Sequence, residues 1–234
     1  MASEHLSKQY DADLETLRSG VLQMGGLVES QIRSAIDAFS TGNVDLVDQV
    51  IAAEVRVNEC EVSIDNDCSH IIVKRQPAAG DLRLIMAISK TVTDLERVGD
   101  EAEKIARMSK QIHEHGRMDL HHFANVRHAA DIAVSMLRQA LDAFARLDAA
   151  EAASVIREDV AIDTEFRSIL RQLITFMMED PRTISTALEI VWIAKAIERI
   201  GDHAKNIAED VIYIVKGTDV RHTNFEQVER EALG

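Results

Sequence analysis

The sequence predicts an all-α protein built as two tandem homologous three-helix bundles, and three observations carry that reading. One acidic phrase occurs twice, Leu95-Glu96-Arg97-Val98-Gly99-Asp100 and, 102 residues later, Ile197-Glu198-Arg199-Ile200-Gly201-Asp202. Other landmarks repeat with nearly the same offset, Pro77 with Pro181 at 104 and Ala38-Phe39 with Ala143-Phe144 at 105. Self-similarity at a fixed period marks a duplicated architecture. Only 2 prolines and 10 glycines punctuate 234 residues, and aromatics make up 4%. A many-turned β-protein needs more breakers than that. Finally, a hydrophobic fraction of 46% supplies an ample core and argues against general disorder.

Six long helices follow in order. The first is expected over roughly Leu6–Ser40 and ends at Thr41-Gly42-Asn43. The second, Val44–Arg75, stops before Pro77, because proline disfavours helical backbone in the residue preceding it. The third starts after Pro77-Ala78-Ala79-Gly80 with Asp81 as N-cap and runs to about Gln111. A histidine-rich link, His113 to His122 with Gly116 inside it, leads to a fourth helix at about Phe123–Arg146. A fifth spans about Ala149–Met178, and the sixth runs from Pro181 or just after to Lys216, where Gly217 closes it. Residues 1–115 then form the first bundle and 116–217 the second, with 218–234 a flexible, frayed tail. Helices of about 30 residues are about 45 Å long, so each half reads as an antiparallel bundle.

Charge excludes some partners. With 26 basic against 40 acidic residues the net charge is −14. Such a surface repels a phosphate backbone or an anionic membrane, so direct nucleic-acid binding is not expected. No apolar run approaches the ~20 residues that span a bilayer, and Met1–Met24 lacks the basic-then-apolar pattern of a signal peptide. These features predict a cytoplasmic protein. Cys60 and Cys68 are too few for a disulfide framework and read as reduced small core residues.

The repeated phrase holds the chemistry. On a helical wheel Asp100 falls one turn from Glu96 on the same side, and Asp202 does the same from Glu198. Both pairs flank an apolar arc, Val92, Leu95, Val98, Ala102 and Ile105 in one half and Ala194, Ile197, Ile200, Ala204 and Ile207 in the other. Gly99 and Gly201 each cost a helix interior about 1 kcal/mol against alanine, so a neighbouring helix is expected to approach closely there. Local pairing offers a plainer account, with Asp100 to Lys104 at i,i+4 and Asp202 to Lys205 at i,i+3. The order Glu-Arg-apolar-Gly-Asp survives in both halves while Glu103 and Lys205 differ, which favours a shared role.

The second helix of each half adds facing carboxylates. Asp159 and Asp163 share an arc with Val155, Ile162, Phe166, Ile169, Leu170 and Leu173. Charges in an apolar stripe are costly unless neutralised or coordinated. Their first-half equivalents are Glu54 and Asn58, with Glu61 and Asp65 continuing that face. The counter-charge is expected from Arg97 and Arg199 or from a metal cation. An all-oxygen set suits Mg, Ca, Mn or iron better than structural zinc. No Glu-x-x-His occurs, which argues against a ferritin-like di-iron site. Asn58 in place of a carboxylate makes the first half the weaker expected binder. His113, His115, His121 and His122 in the link, and the basic loop Lys74-Arg75-Gln76-Pro77, are lesser candidates. Nothing resembles a nucleophile–base pair or a phosphate-cradling glycine loop.

With the duplicated phrase and Lys74-Arg75-Gln76-Pro77-Ala78-Ala79-Gly80-Asp81-Leu82-Arg83 in view, the chain resembles the PhoU family, accessory regulators of bacterial phosphate-specific transport. The likeness runs from Leu14 to about His222 and includes Arg171-Gln172-Leu173-Ile174 and Met177-Met178-Glu179-Asp180. It implies two three-helix bundles with multinuclear metal sites on paired Glu/Asp-x-x-x-Asp motifs. Glu96/Asp100, Glu198/Asp202 and Asp159/Asp163 match that pattern, and Glu54/Asn58 departs from it. The bound ions would be divalent or trivalent, Mg, Mn, Fe or Zn. The resemblance further implies a non-enzymatic, cytoplasmic homodimer that represses the phosphate-starvation response. Its implied partners are the ATPase of a phosphate ABC transporter and a sensor histidine kinase, which alone would bring it to the membrane. Two other classes stay open: a carboxylate-bridged metal-dependent enzyme or metal-storage bundle, and a plain helical adaptor.

Overall fold

A computed structural model describes residues 8–115 and 124–234. Six long helices and one short one appear there: α1 Lys8–Thr41, α2 Val44–Arg75, α3 Ala79–His115, α4 Ala124–Arg146, α5 Ala149–Glu179, α6 Ile184–Lys216 and α7 Phe225–Leu233. Breakers set the joints. Gly42 takes a left-handed φ of 70° and donates its N–H to Ala38 O, ending α1. Asn43 then caps α2 by accepting from the Asp45 amide. Asp148 caps α5 in the same way, accepting from the Ala150 and Glu151 amides, and Gly217 at φ 76° closes α6.

The ends of α3 and the C-terminal segment differ from expectation, and the start of α6 does not. Asp81 lies inside the first turn of α3, which begins at Ala79 and continues past Gln111 to His115. The link therefore starts later than His113, and its remainder, 116–123 with His121 and His122, lies outside the described residues. A 3₁₀ turn at Pro181–Thr183, capped by Asp180, precedes α6. The segment 218–234, expected to fray, carries α7 instead. Asn224 caps α7 through the Gln227 amide, and Val228 and Ala232 bury its apolar stripe against α5. Arg157 of α5 pairs with Glu229 and covers the Phe225 ring at 4.8 Å. Nine residues hold too few turns to announce themselves by periodicity, and packing supplies the stability that propensity does not.

α1, α2 and α3 pack together, as do α4, α5 and α6. The two bundles meet along α3 with α6, the most extensive helix contact in the fold, and along α1 with α4. One continuous core of buried side chains runs through both. Pairing along the α3–α6 seam shows that they cross antiparallel: Lys90 reaches Asp210 at 3.7 Å, Asp94 reaches His203 at 2.7 Å and Asn206 at 3.0 Å, and Glu101 reaches Arg199 at 2.7 Å. The repeated phrases thus run past each other across this seam, Arg199 of one reaching Glu101 at the end of the other. At the α1–α4 contact Gly25 admits Leu141 so closely that a Cβ there would stand 2.5 Å from Leu141 Cδ1. Arg138 holds Glu29 there with two hydrogen bonds of 2.7 and 2.6 Å. Among the described residues no helix is long and apolar enough to cross a membrane.

Candidate functional site

In the first half α2 carries Glu54 to the face of α3 where Gly99 sits. Glu54 is 6% exposed, and Gln31 of α1, 2% exposed, meets it there. Gln31 Nε2 donates to Glu54 Oε2 at 2.9 Å and to Val50 O at 3.2 Å. That leaves Gln31 Oε1 and Glu54 Oε1 buried without a hydrogen-bond partner. Gly99 makes the approach possible, since a Cβ on it would lie 2.7 Å from Glu54 Oε2 and 3.4 Å from Gln31 Oε1. Burial pushes the Glu54 carboxyl up, and the charges of Asp100, Glu103 and Glu96 push it further against the opposing bond from Gln31. Burial likewise raises Glu96, with Asp100 and Glu61 adding to it. Glu96 Oε2 lacks a hydrogen bond, with Arg97 Nε 3.4 Å away.

The other first-half candidates lie further out. Asp100 is half-exposed and pairs with Arg97 at 3.3 Å, not with Lys104, which turns to Glu101 at 3.2 Å. Asn58 is exposed and Glu61 half-buried. Asp65 accepts a 2.7 Å bond from Ser89 Oγ and is thereby tied to α3.

The second half is built from equivalent positions with different results. Asp159 of α5 is 16% exposed and accepts from Lys205 Nζ at 2.7 Å. Lys205 therefore serves the neighbouring helix and not Asp202, its four methylenes letting the ammonium cross the groove. Lys195 pairs with Glu198, which is nearly buried. Asp202 stays exposed at its tip, yet partial burial and the charges of Glu198 and Asp159 raise its carboxyl, opposed by Lys195 and Lys205. Asp163 points outward at 42% exposure and pairs with Arg167 at 3.2 Å, so it does not join this group. Gly201 meets apolar neighbours, Ile162 at 3.0 Å and Met136 Sδ at 3.7 Å from a built Cβ.

Both halves thus bring α2 to α3 and α5 to α6 through a glycine beside carboxylates, and of the two expected counter-charges Arg97 serves its own motif whereas Arg199 does not. Arg199 crosses to the buried Glu101 of the other bundle, and lysines serve the second-half carboxylates. Gln31 had no signal in the motif, because it comes from the first helix of the bundle and is not charged. His113 lies in α3 with Nε2 2.9 Å from Phe39 O, a structural contact, while the side chain of His115 lies outside the described residues. Cys60 and Cys68 are free, and burial pushes the Cys68 thiol up to about 12.

Among the described residues, no three or more His, Cys, Asp or Glu side chains are gathered to chelate one ion as they stand. The first-half donor set nevertheless fits an oxygen-seeking cation in chemistry. Two buried carboxylate oxygens and one buried amide oxygen lack donors, and unpaired buried polar atoms carry a desolvation cost that a cation would offset. Arg97 lies at the edge of that group, 3.4 Å from Glu96 and 3.3 Å from Asp100, and Arg107 holds Glu103 at 2.6 Å.

Comparison with known proteins agrees with this architecture. A family model described as PhoU domain matches twice, at residues 21–109 and 126–211. The phosphate-specific transport system accessory protein PhoU homolog of Pseudomonas putida is 49% identical over 232 residues, 99% of this chain and 90% of that protein. The phosphate-specific transport system accessory protein PhoU of Escherichia coli K12 is 44% identical over 234 residues, 99% of this chain and 95% of that one. The crystal structure of PhoU from Pseudomonas aeruginosa superposes with a TM-score of 0.86 at 49% identity, covering 89% of this chain and 100% of that chain. The phosphate transport system regulatory protein PhoU from Streptococcus pneumoniae gives 0.83 at 26% identity, covering 90% of this chain and 99% of that one.

Proposed function

Because the chain belongs to the PhoU family, we propose that it is a cytoplasmic, non-enzymatic regulator of phosphate uptake that represses phosphate-starvation signalling by binding other proteins. The observation that carries this reading is near full-length kinship, at 44–49% identity, with proteins named for accessory service to phosphate-specific transport. Its partners on this reading are the ATPase of a phosphate ABC transporter and a sensor histidine kinase, and a net charge of −14 turns it away from DNA. It acts as a homodimer and reaches the membrane only through those partners.

Metal belongs to the same proposal. Glu54, Glu96 and Asp100 with the Gln31 amide would hold a cation in the first half, with Glu61 and Asp65 further along α2. Asp159, Glu198 and Asp202 form the second-half counterpart. A bound ion would supply positive charge between α2 and α3 where carboxylates now face one another. Mg, Mn and Fe suit these oxygen donors, whereas structural zinc prefers Cys and His ligands, which this site lacks.

The deciding experiment deletes the gene and follows phosphate-starvation promoters in phosphate-rich medium. Derepression, restored by the full chain, is expected. Unchanged repression would refute the regulatory reading, as would salt-resistant binding of the purified protein to those promoters.

A further inference from the structure

The offset of 105 that relates α1 to α4 and α2 to α5, and of 102 that relates α3 to α6, allows the two halves to be compared position by position. Four exchanges surround the carboxylates. Gln31 corresponds to Met136, Glu61 to Phe166, Thr93 to Lys195 and Glu103 to Lys205. Each exchange moves in one direction: an oxygen donor in the first half becomes an apolar or cationic side chain in the second.

The structure shows what the exchanges do. Lys205 Nζ lies 2.7 Å from Asp159 Oδ2, and Lys195 pairs with Glu198. Phe166 holds Lys195 in place, its ring centroid 5.5 Å from the ammonium. Beside Gly99 a built Cβ meets Glu54 Oε2 and Gln31 Oε1 as well as Val57, whereas beside Gly201 it meets only apolar atoms, of Ile162 and of Met136, the counterparts of Val57 and Gln31. In the first half Glu103 pairs outward with Arg107 at 2.6 Å, and two deeply buried groups, Gln31 and Glu54, keep oxygens without donors.

Resting on the metal reading above, we infer that the halves are unequal: the first binds a cation, and the second carries Lys205, seconded by Lys195, as a tethered cation in the place of the ion. A tethered ammonium competes at high local concentration with any ion from solution, so a metal must displace it to enter. Lys205 and Glu103 are the residues that decide which half is loaded. This reverses the ranking expected from Asn58, because Asn58 and Asp163 both point away from their groups.

Titration of the metal-stripped, tag-free full chain with Mn(II), followed by electron paramagnetic resonance and calorimetry, tests the assignment. One class of site is expected, weakened roughly 10–100-fold by Glu54→Gln and unmoved by Asp202→Asn. Lys205→Glu should create a second class that Asp202→Asn then removes, and Glu103→Lys should weaken the first. Lys205→Gln serves the same purpose if Lys205→Glu fails to fold by circular dichroism. A wild-type protein that already shows a site lost in Asp202→Asn overturns the inference while leaving the metal reading intact. So do folded Lys205 variants that gain no site. Absence of any carboxylate-dependent Mn(II) binding in wild type and in all variants refutes the metal reading itself.

Discussion

Asp210 should make the protein lose stability as pH rises, and the effect can be isolated by one substitution. It lies in α6 on the α3 seam, 5% exposed, with Lys90 its ion-pair partner at 3.7 Å. Burial pushes its carboxyl up from 3.8 to about 7, Lys90 and Arg221 opposing and Asp94 and Glu209 adding to the rise. An acid whose folded pKa exceeds its unfolded value binds its proton more tightly when folded. The folded state is therefore favoured at low pH and loses that advantage between pH 3.8 and about 7. The slope is about 1.4 kcal/mol per pH unit, so raising the pH from about 5 to 8 costs about 3 kcal/mol, mostly below pH 7. For a chain of this size that lowers Tm by roughly 6–12 °C. Asp210→Asn removes the ionisation and with it the Lys90 attraction, which acts only on the ionised carboxylate and is already contained in the value of about 7. Calorimetry across pH 5–8 should therefore give a shallower decline of Tm for Asp210→Asn than for wild type. Parallel curves would show that Asp210 ionises freely and that burial does not control it.

Gly201→Leu should destabilise by about 1–3 kcal/mol in urea unfolding, because Ile162 is 1% exposed and already 3.0 Å from the first added carbon. Gly99→Ala should instead act mainly on Mn(II) affinity, since the atom it meets is the end of the Glu54 side chain; a wild-type affinity would place Glu54 outside the site. Arg199→Ala leaves Glu101, 7% exposed, with Lys104 alone and should cost about 1–3 kcal/mol. Adding Glu101→Gln should recover part of that loss, and strict additivity of the two changes would deny the cross-bundle pair.

The sequence by itself determined the helices, their order and the duplication. These depend on local matters: where Gly42, Pro77, Pro181 and Gly217 interrupt the backbone, and which residues recur at helical spacing. The faces that carry Glu54, Glu96, Glu198, Asp159 and Asp202 were legible for the same reason, since spacing along one helix dictates which side chains share a side. The short α7 was not, because nine residues are stable only by lying on α5.

Tertiary structure decided the partners. Spacing offered Lys104 to Asp100 and Lys205 to Asp202, yet Lys104 turned to Glu101 and Lys205 crossed to Asp159. Arg199, read as a counter-charge for its own motif, reached the other bundle. A long flexible cation can reach several carboxylates, and the choice goes to the least solvated one within range, where charge is least screened. How deeply each carboxylate is buried depends on how helices cross, and Gly25, Gly99 and Gly201 bring those crossings close. Asp163, on the same arc as Asp159, ended at the surface, and the uncharged Gln31 ended beside Glu54. Three helices must assemble before either outcome exists.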